Sequence, residues 1–250
     1  MAFDVMVGGV GDAFSLDHYG THFLLRKGDF VLGIDCPDHY RRALRDNGFP
    51  GVEHLDAMYI THLHGDHVNG LEMVVALRSM ALKMDPLPVY GPPEVLKDLW
   101  TKLSPSLGQM WDGESYRSLG PETFFDLRPT AWEASHEIGP FGLEQRKTLH
   151  HIPTAALRIT DGDGVFAYSC DTIFDEELVR WLEPGAEVIF HESTFGAAHT
   201  PLEALRGLPS EIRRRLKLVH YPDQIGSLDR GDLQLARQGE VVTLRGGYSR

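Results

Sequence analysis

Thr61-His62-Leu63-His64-Gly65-Asp66-His67 places three imidazoles and a carboxylate within a few residues of one another. The run Met58-Tyr59-Ile60-Thr61 ahead of it predicts a short buried strand, so the cluster falls on a loop at that strand's C-terminal edge. On an extended backbone His62 and His64 point the same way, and Gly65 lets the chain turn so that Asp66 and His67 follow. Imidazole nitrogen and carboxylate oxygen suit zinc, with manganese or iron as alternatives. Four donors so close together exceed what one open catalytic ion needs, so the stretch predicts two divalent metal ions. A surface histidine cluster without function is the plain alternative, and the tight spacing argues against it.

Upstream, Phe3 to Val7, His22 to Arg26 and Phe30 to Ile34 read as strands, set apart by Gly8-Gly9-Val10-Gly11 and by Gly28-Asp29. A helix is predicted from Asp38 to Asn47. Downstream, Leu71, Val74, Val75, Leu77 and Leu82 recur at helical spacing, a strand follows at Val89-Tyr90, and a second helix runs from Pro93 to Leu103. The stretch from Ser104 to Gly120 has no period, and its Met110, Trp111 and Tyr116 either line a pocket or cover the core.

The second half repeats this grammar. Strands are predicted at Gly142 to Leu149, Ala156 to Thr160 and Val165 to Cys170, with Asp161-Gly162-Asp163-Gly164 as a tight turn. A helix follows from Phe174 to Leu182, a strand from Glu187 to Phe190, a helix from Ser210 to Lys217, and Leu218-Val219 leads into His220. Two β-rich halves, each with helices, predict an α/β layered sandwich forming a single domain over residues 1–250.

The formal net charge of −12 disfavours a large nucleic acid, which is normally met by a basic surface. Arg213-Arg214-Arg215-Leu216-Lys217 is read as a solvated helix face rather than a binding patch. No apolar run approaches the roughly 18 residues that span a bilayer, and the start carries no secretion signal, so no membrane partner and a cytoplasmic location are expected. Cys36 and Cys170 are then expected to be free thiols.

The histidine segment resembles the signature of the metallo-β-lactamase superfamily, and the resemblance covers most of the chain. It implies a four-layer αββα sandwich with a dinuclear metal site at the strand ends. Further positions fit: His150 in Leu149-His150-His151-Ile152-Pro153, Asp171 in Tyr168-Ser169-Cys170-Asp171-Thr172, and His220 in Leu218-Val219-His220-Tyr221. By that resemblance His62, His64 and His150 hold one metal, Asp66, His67 and His220 the second, and Asp171 bridges them, with His151 as the alternative to His150. His191-Glu192-Ser193-Thr194-Phe195 is similar to the His-Glu-Ala-Thr-Phe motif of ribonuclease Z and its phosphodiesterase relatives. The interval from His150 to Asp171 is too short for that enzyme's tRNA-gripping arm, and Asp35-Cys36-Pro37-Asp38 departs from its glycine-rich turn.

The resemblance therefore implies a metal-dependent hydrolase, first a phosphodiesterase acting on a cyclic nucleotide or an oligonucleotide end by attack of metal-bound hydroxide. Asp66 would orient the nucleophile. His191, steadied by Glu192, would protonate the leaving oxygen or bind the phosphate. A lactonase, thioesterase or β-lactamase on the same fold is the second reading. An iron-dependent oxidoreductase and a non-catalytic metal-binding module are the readings from other classes. Relatives of this kind often form homodimers. His199, Thr200 and Pro201 either reach the pocket rim or belong to a mobile loop. His18, His22, His39, His54 and His136 match no ligand pattern.

Overall fold

The structure, a computed structural model, describes residues 2–246. Along the first half run β1 (Phe3–Gly9), β2 (His22–Lys27), β3 (Phe30–Ile34), α1 (Tyr40–Asp46), β4 (Ala57–Tyr59), α2 (Gly65–Val68), α3 (Leu71–Ala76), β5 (Leu87–Gly91), α4 (Pro93–Leu107), β6 (Gln109–Trp111), β7 (Tyr116–Ser118) and β8 (Phe125–Pro129). The second half contributes β9 (Ser135–Ile138), β10 (Phe141–Lys147), β11 (Ala155–Thr160), β12 (Val165–Tyr168), α5 (Glu176–Leu182), β13 (Val188–Glu192), α6 (Leu202–Arg206), α7 (Ser210–Arg213), β14 (Leu216–Val219), β15 (Gln234–Leu235) and β16 (Val241–Leu244). Two sheets result, in the orders β16-β1-β2-β3-β4-β5-β8 and β15-β14-β13-β12-β11-β10-β9.

Side-chain alternation sorts the first sheet's residues between two cores. Val5, Val7, Phe23, Leu25, Leu32, Ile34 and Tyr59 join the core that also takes in the second sheet, whereas Met6, Leu24, Val31 and Met58 pack with residues of α1, α3 and α4. Phe23 spans the gap between the sheets, its ring centroid 5.2 Å from Phe166, 5.1 Å from Tyr168 and 4.9 Å from Phe190. Completely burying one such ring contributes about 1.5–3 kcal/mol. Leu178, Val179, Leu205 and Ile212 bring α5, α6 and α7 against the second sheet. The layers are therefore helix, sheet, sheet, helix.

In each sheet an antiparallel set gives way to a parallel one: β3 to β4, β5 and β8 in the first, β12 to β13, β14 and β15 in the second. Parallel strands end at the same edge, and an open α/β sheet presents its binding groups there. Three of these ends carry the same device. Asp35 after β3, Cys170 after β12 and His220 after β14 all lie in the left-handed region, at φ 61°, 50° and 48°. For residues other than glycine that conformation costs on the order of 1 kcal/mol or more and concentrates at functional sites.

Some expectations are corrected. The helix from Pro93 continues to Leu107, and the aperiodic stretch after it forms the hairpin β6–β7, whose Trp111 and Tyr116 are exposed, 55% and 74%, rather than covering the core. The basic run at 213–217 is helical only as far as Arg213; Lys217 belongs to β14. Arg213 pairs with Asp232, Arg215 with Glu183 and Lys217 with Glu240, so these cations are matched by carboxylates. Both cysteines are buried free thiols, and among the described residues no helix is long and apolar enough to cross a membrane.

Candidate metal centre

Five segments deliver polar side chains to the common edge of the sheets: 61–67 after β4, 148–154 after β10, 169–172 after β12, the end of β13, and His220 after β14. The first donor group is His62, His64, His150 and Asp171. His62 Nε2 and His150 Nε2 each lie 3.1 Å from His64 Nδ1, and each lies 3.7 Å from Asp171 Oδ2. The second group is Asp66, His67, Asp171 and His220. His67 Nε2 is 3.3 Å from Asp66 Oδ2 and 3.4 Å from Asp171 Oδ1, while His220 Nε2 is 3.0 Å from Asp66 Oδ2 and 3.6 Å from Asp171 Oδ2. All seven side chains expected from the sequence thus come together, and Asp171 belongs to both groups. His150 belongs to the first group, whereas its neighbour His151 is exposed and outside both.

These separations fit ions. Donors held tetrahedrally at zinc distances stand about 3.3 Å apart, close to the spacing of both groups. His67 Nε2 and Asp171 Oδ1 are buried without a hydrogen-bond partner, as two ligand atoms awaiting a cation would be. Charge agrees. Burial would lower the pKa of His67, but Asp171, Asp66 and Asp35 outweigh it and hold it well above the ordinary histidine value. Burial likewise opposes the rise at His220, which Asp171 and Asp66 drive. Three carboxylates in this pocket demand positive charge, which the imidazoles supply as protons when no metal does. In the first group burial keeps the imidazoles neutral, the form that ligates: His150 is pushed down to about 4, and His62 lies well below its ordinary value.

The ligands are aimed by neighbours. Buried Asp35 accepts from His67 Nδ1 at 2.8 Å and from the Thr61 backbone N–H at 2.8 Å, fixing the tautomer that turns the Nε2 lone pair of His67 inward. Thr61 Oγ1 also donates to Asp35 and lies 3.0 Å from His62 Nδ1. The Thr21 hydroxyl accepts from His220 N at 3.0 Å. Cys170 lies behind His62 and groups with His62 and His67, but its Sγ donates to Thr61 Oγ1 and burial raises its thiol well above the ordinary range.

The expected partnership of His191 with the Glu192 side chain is corrected. Both residues lie on β13, where neighbours face opposite ways. His191 Nδ1 bonds the Glu192 backbone oxygen at 2.8 Å; its Nε2 is buried without a partner, and burial lowers its pKa to about 4. The Glu192 carboxylate instead accepts from His199 Nδ1 at 3.0 Å and from Thr172 N at 2.9 Å. Burial and then the charge of Asp171 raise that carboxyl well above the usual range. The His199 ring stacks 5.5 Å from His220 and lies 5.3 Å from His150. His199, one of three rim residues left open by the sequence, is therefore a histidine beside both donor groups.

A family model described as "Anti-Pycsar protein Apyc1" matches residues 3–242. A protein of that name from Paenibacillus sp. (strain J14) is 35% identical over 253 residues, covering 98% of this chain and 100% of its own. Among solved structures, the metallo-β-lactamase fold protein YhfI from Bacillus subtilis superposes with a TM-score of 0.73 at 22% identity, covering 97% of this chain and 100% of that one. Human tRNase Z, short form, gives 0.71 at 18% identity, covering 96% and 98%. The fold is thus the metallo-β-lactamase αββα sandwich that the histidine signature implied.

Proposed function

Given that the chain belongs to the Anti-Pycsar protein Apyc1 family and is a metal-dependent hydrolase, we propose that it cleaves a small phosphodiester, a cyclic nucleotide first among them. His62, His64 and His150 would hold one divalent ion, zinc in the first instance, and Asp66, His67 and His220 the other, with Asp171 shared. Such a pair, when bound, lowers the pKa of water and offsets charge on a phosphoryl oxygen. Asp66 is the proton-handling carboxylate at this end. Its Oδ2 faces His67 and His220, leaving Oδ1 to orient an attacking water, and although burial would raise its pKa, those two imidazoles keep it ionised.

The opposite task, protonating the departing alkoxide, falls to His199 in place of His191. Glu192 fixes Nδ1 of His199, so Nε2 is the atom left to deliver a proton. The observation carrying this reading is the pair of donor groups joined through Asp171 with the Glu192–His199 pair alongside. A phosphodiester needs both ends of that arrangement, because its alkoxide leaving group is poor.

The test is a substrate panel on zinc- or manganese-loaded protein: 3′,5′-cyclic nucleotides and bis-p-nitrophenyl phosphate against lactones and thioesters. Diester hydrolysis that chelation abolishes supports the proposal, and turnover of lactones or thioesters alone overturns it in favour of the carbonyl hydrolases.

A further inference from the structure

Loop 193–200 serves two places at once. Ser193 Oγ donates to the Thr200 carbonyl at 3.1 Å and His199 N donates to the Gly196 carbonyl at 3.3 Å, closing the loop on itself. Gly196, at φ 112°, supplies the reversal that a side chain would resist. One limb carries His199 to the donor groups. The other carries Phe195 outward, 62% exposed, at the edge of a cavity of about 270 Å³.

Leu202, Pro222, Ile225 and Leu228 give that cavity apolar walls, and Glu203 and the ion pair of Arg206 with Asp229 at 2.8 Å give it a polar margin. Its two lining segments start at the site itself: Ser193 adjoins Glu192, and Pro222 is two residues beyond His220. Two residues of chain extend at most about 7 Å, comparable to the reach across a pentose. The loop is tied to the chain's first turn by Asp12, which accepts from Thr194 Oγ1 at 2.6 Å and from Phe14 N at 3.0 Å. This brings Phe14, 89% exposed, to the loop that bears Phe195.

We propose that the cavity under Phe195 is a nucleobase subsite, in which the Phe195 ring lies on the face of a base whose phosphodiester sits at the donor groups. The inference rests on the phosphodiesterase reading and adds what the substrate must carry. A heterocycle has a flat π-face for the aromatic wall and an edge of donors and acceptors for Glu203 and Arg206. An acyl chain would use the walls but offer nothing to the polar margin.

The experiment compares KM for a 3′,5′-cyclic nucleotide and for the corresponding base-free ribose cyclic phosphate in the wild type, Phe195→Ala and Phe195→Tyr. It is paired with calorimetric titration of each protein with a nucleoside monophosphate. Loss of a base stack predicts a rise in KM for the nucleotide of between about 5-fold and about 150-fold in Phe195→Ala, with little change in kcat and recovery in Phe195→Tyr. The base-free diester shows no comparable rise, and monophosphate binding weakens in parallel with the nucleotide KM. Equal effects on both diesters, or none on either, overturn the subsite. Failure of the wild type to hydrolyse either diester sinks the phosphodiesterase reading instead, and the calorimetry then decides the subsite by itself: Phe195-dependent binding keeps it, and Phe195-independent binding or none removes it.

Discussion

Replacing Asp35 by Asn keeps the shape of the side chain and removes half of its hydrogen-bond logic. In the native site one oxygen accepts from Thr61 N at 2.8 Å and the other from His67 Nδ1 at 2.8 Å, with Thr61 Oγ1 donating between them, all buried. An amide has one acceptor oxygen and one donor nitrogen, so one partner must be lost. If the NH2 faces Thr61, a buried N–H is left opposite another donor, costing about 1–3 kcal/mol of stability. If it faces His67, Nδ1 must accept, the ring proton moves to Nε2, and the atom aimed at Asp66 and Asp171 loses its lone pair. Disturbing such a partner typically lowers metal affinity by about 10- to 100-fold. Competition with a chromophoric chelator, resolved for two sites, is expected to show one affinity reduced by that factor and the other retained. Melts of the metal-free protein would reveal the alternative, a Tm lowered by roughly 2–4 °C per kcal/mol. Exposed Asp38→Asn serves as the control. Native values for both metal affinities and for the metal-free Tm in Asp35→Asn would refute the account of how His67 is held.

His199→Ala is expected to lower kcat for cyclic nucleotides by about 100- to 10,000-fold with metal content intact, and to affect bis-p-nitrophenyl phosphate much less because its leaving group needs no proton; kinetics with metal analysis check this. Asp171→Asn should weaken both ions together, seen as loss of both in equilibrium dialysis, because that carboxylate belongs to both donor groups. The pKa of His191 is about 4 when folded and near 6.5 when unfolded, so its contribution is complete above pH 6.5 and falls away as the pH drops towards 4. Urea melts of metal-free protein at pH 7 and pH 4.5 should therefore show a steeper loss in the wild type than in His191→Gln, by up to about 3 kcal/mol. Chelation should lower the Tm of the wild type, since an ion that binds only the folded chain adds to its stability.

The donors of the 61–67 stretch were legible because they lie within a few residues of one another, and alternation on an extended segment suffices to aim His62 and His64 together. His150, Asp171 and His220 stand singly after strands, so resemblance rather than local pattern picked them out. The pairing of His191 with the Glu192 side chain was misplaced for a local reason: the predicted strand stopped at Phe190, whereas β13 runs through Glu192 and so turns His191 and its neighbour to opposite faces. His199 sits on an aperiodic loop, and only the tertiary pairing with Glu192 distinguishes it. Asp35 was noticed as part of a departure from a glycine-rich turn, but the buried bonds that give it a purpose involve Thr61 and His67, far along the chain. Trp111 and Tyr116 defied a reading from hydrophobicity because their short hairpin is exposed throughout.

Asp66 and His220 meet across 154 residues of sequence. A nascent chain leaving the ribosome presents His62, His64, Asp66 and His67 long before His220 has been synthesised, so the second donor group stays open until those 154 further residues have been made. Under the proposed metal assignment, loading of the second ion must therefore follow that synthesis, and the early histidine loop is open to other cations in the interval.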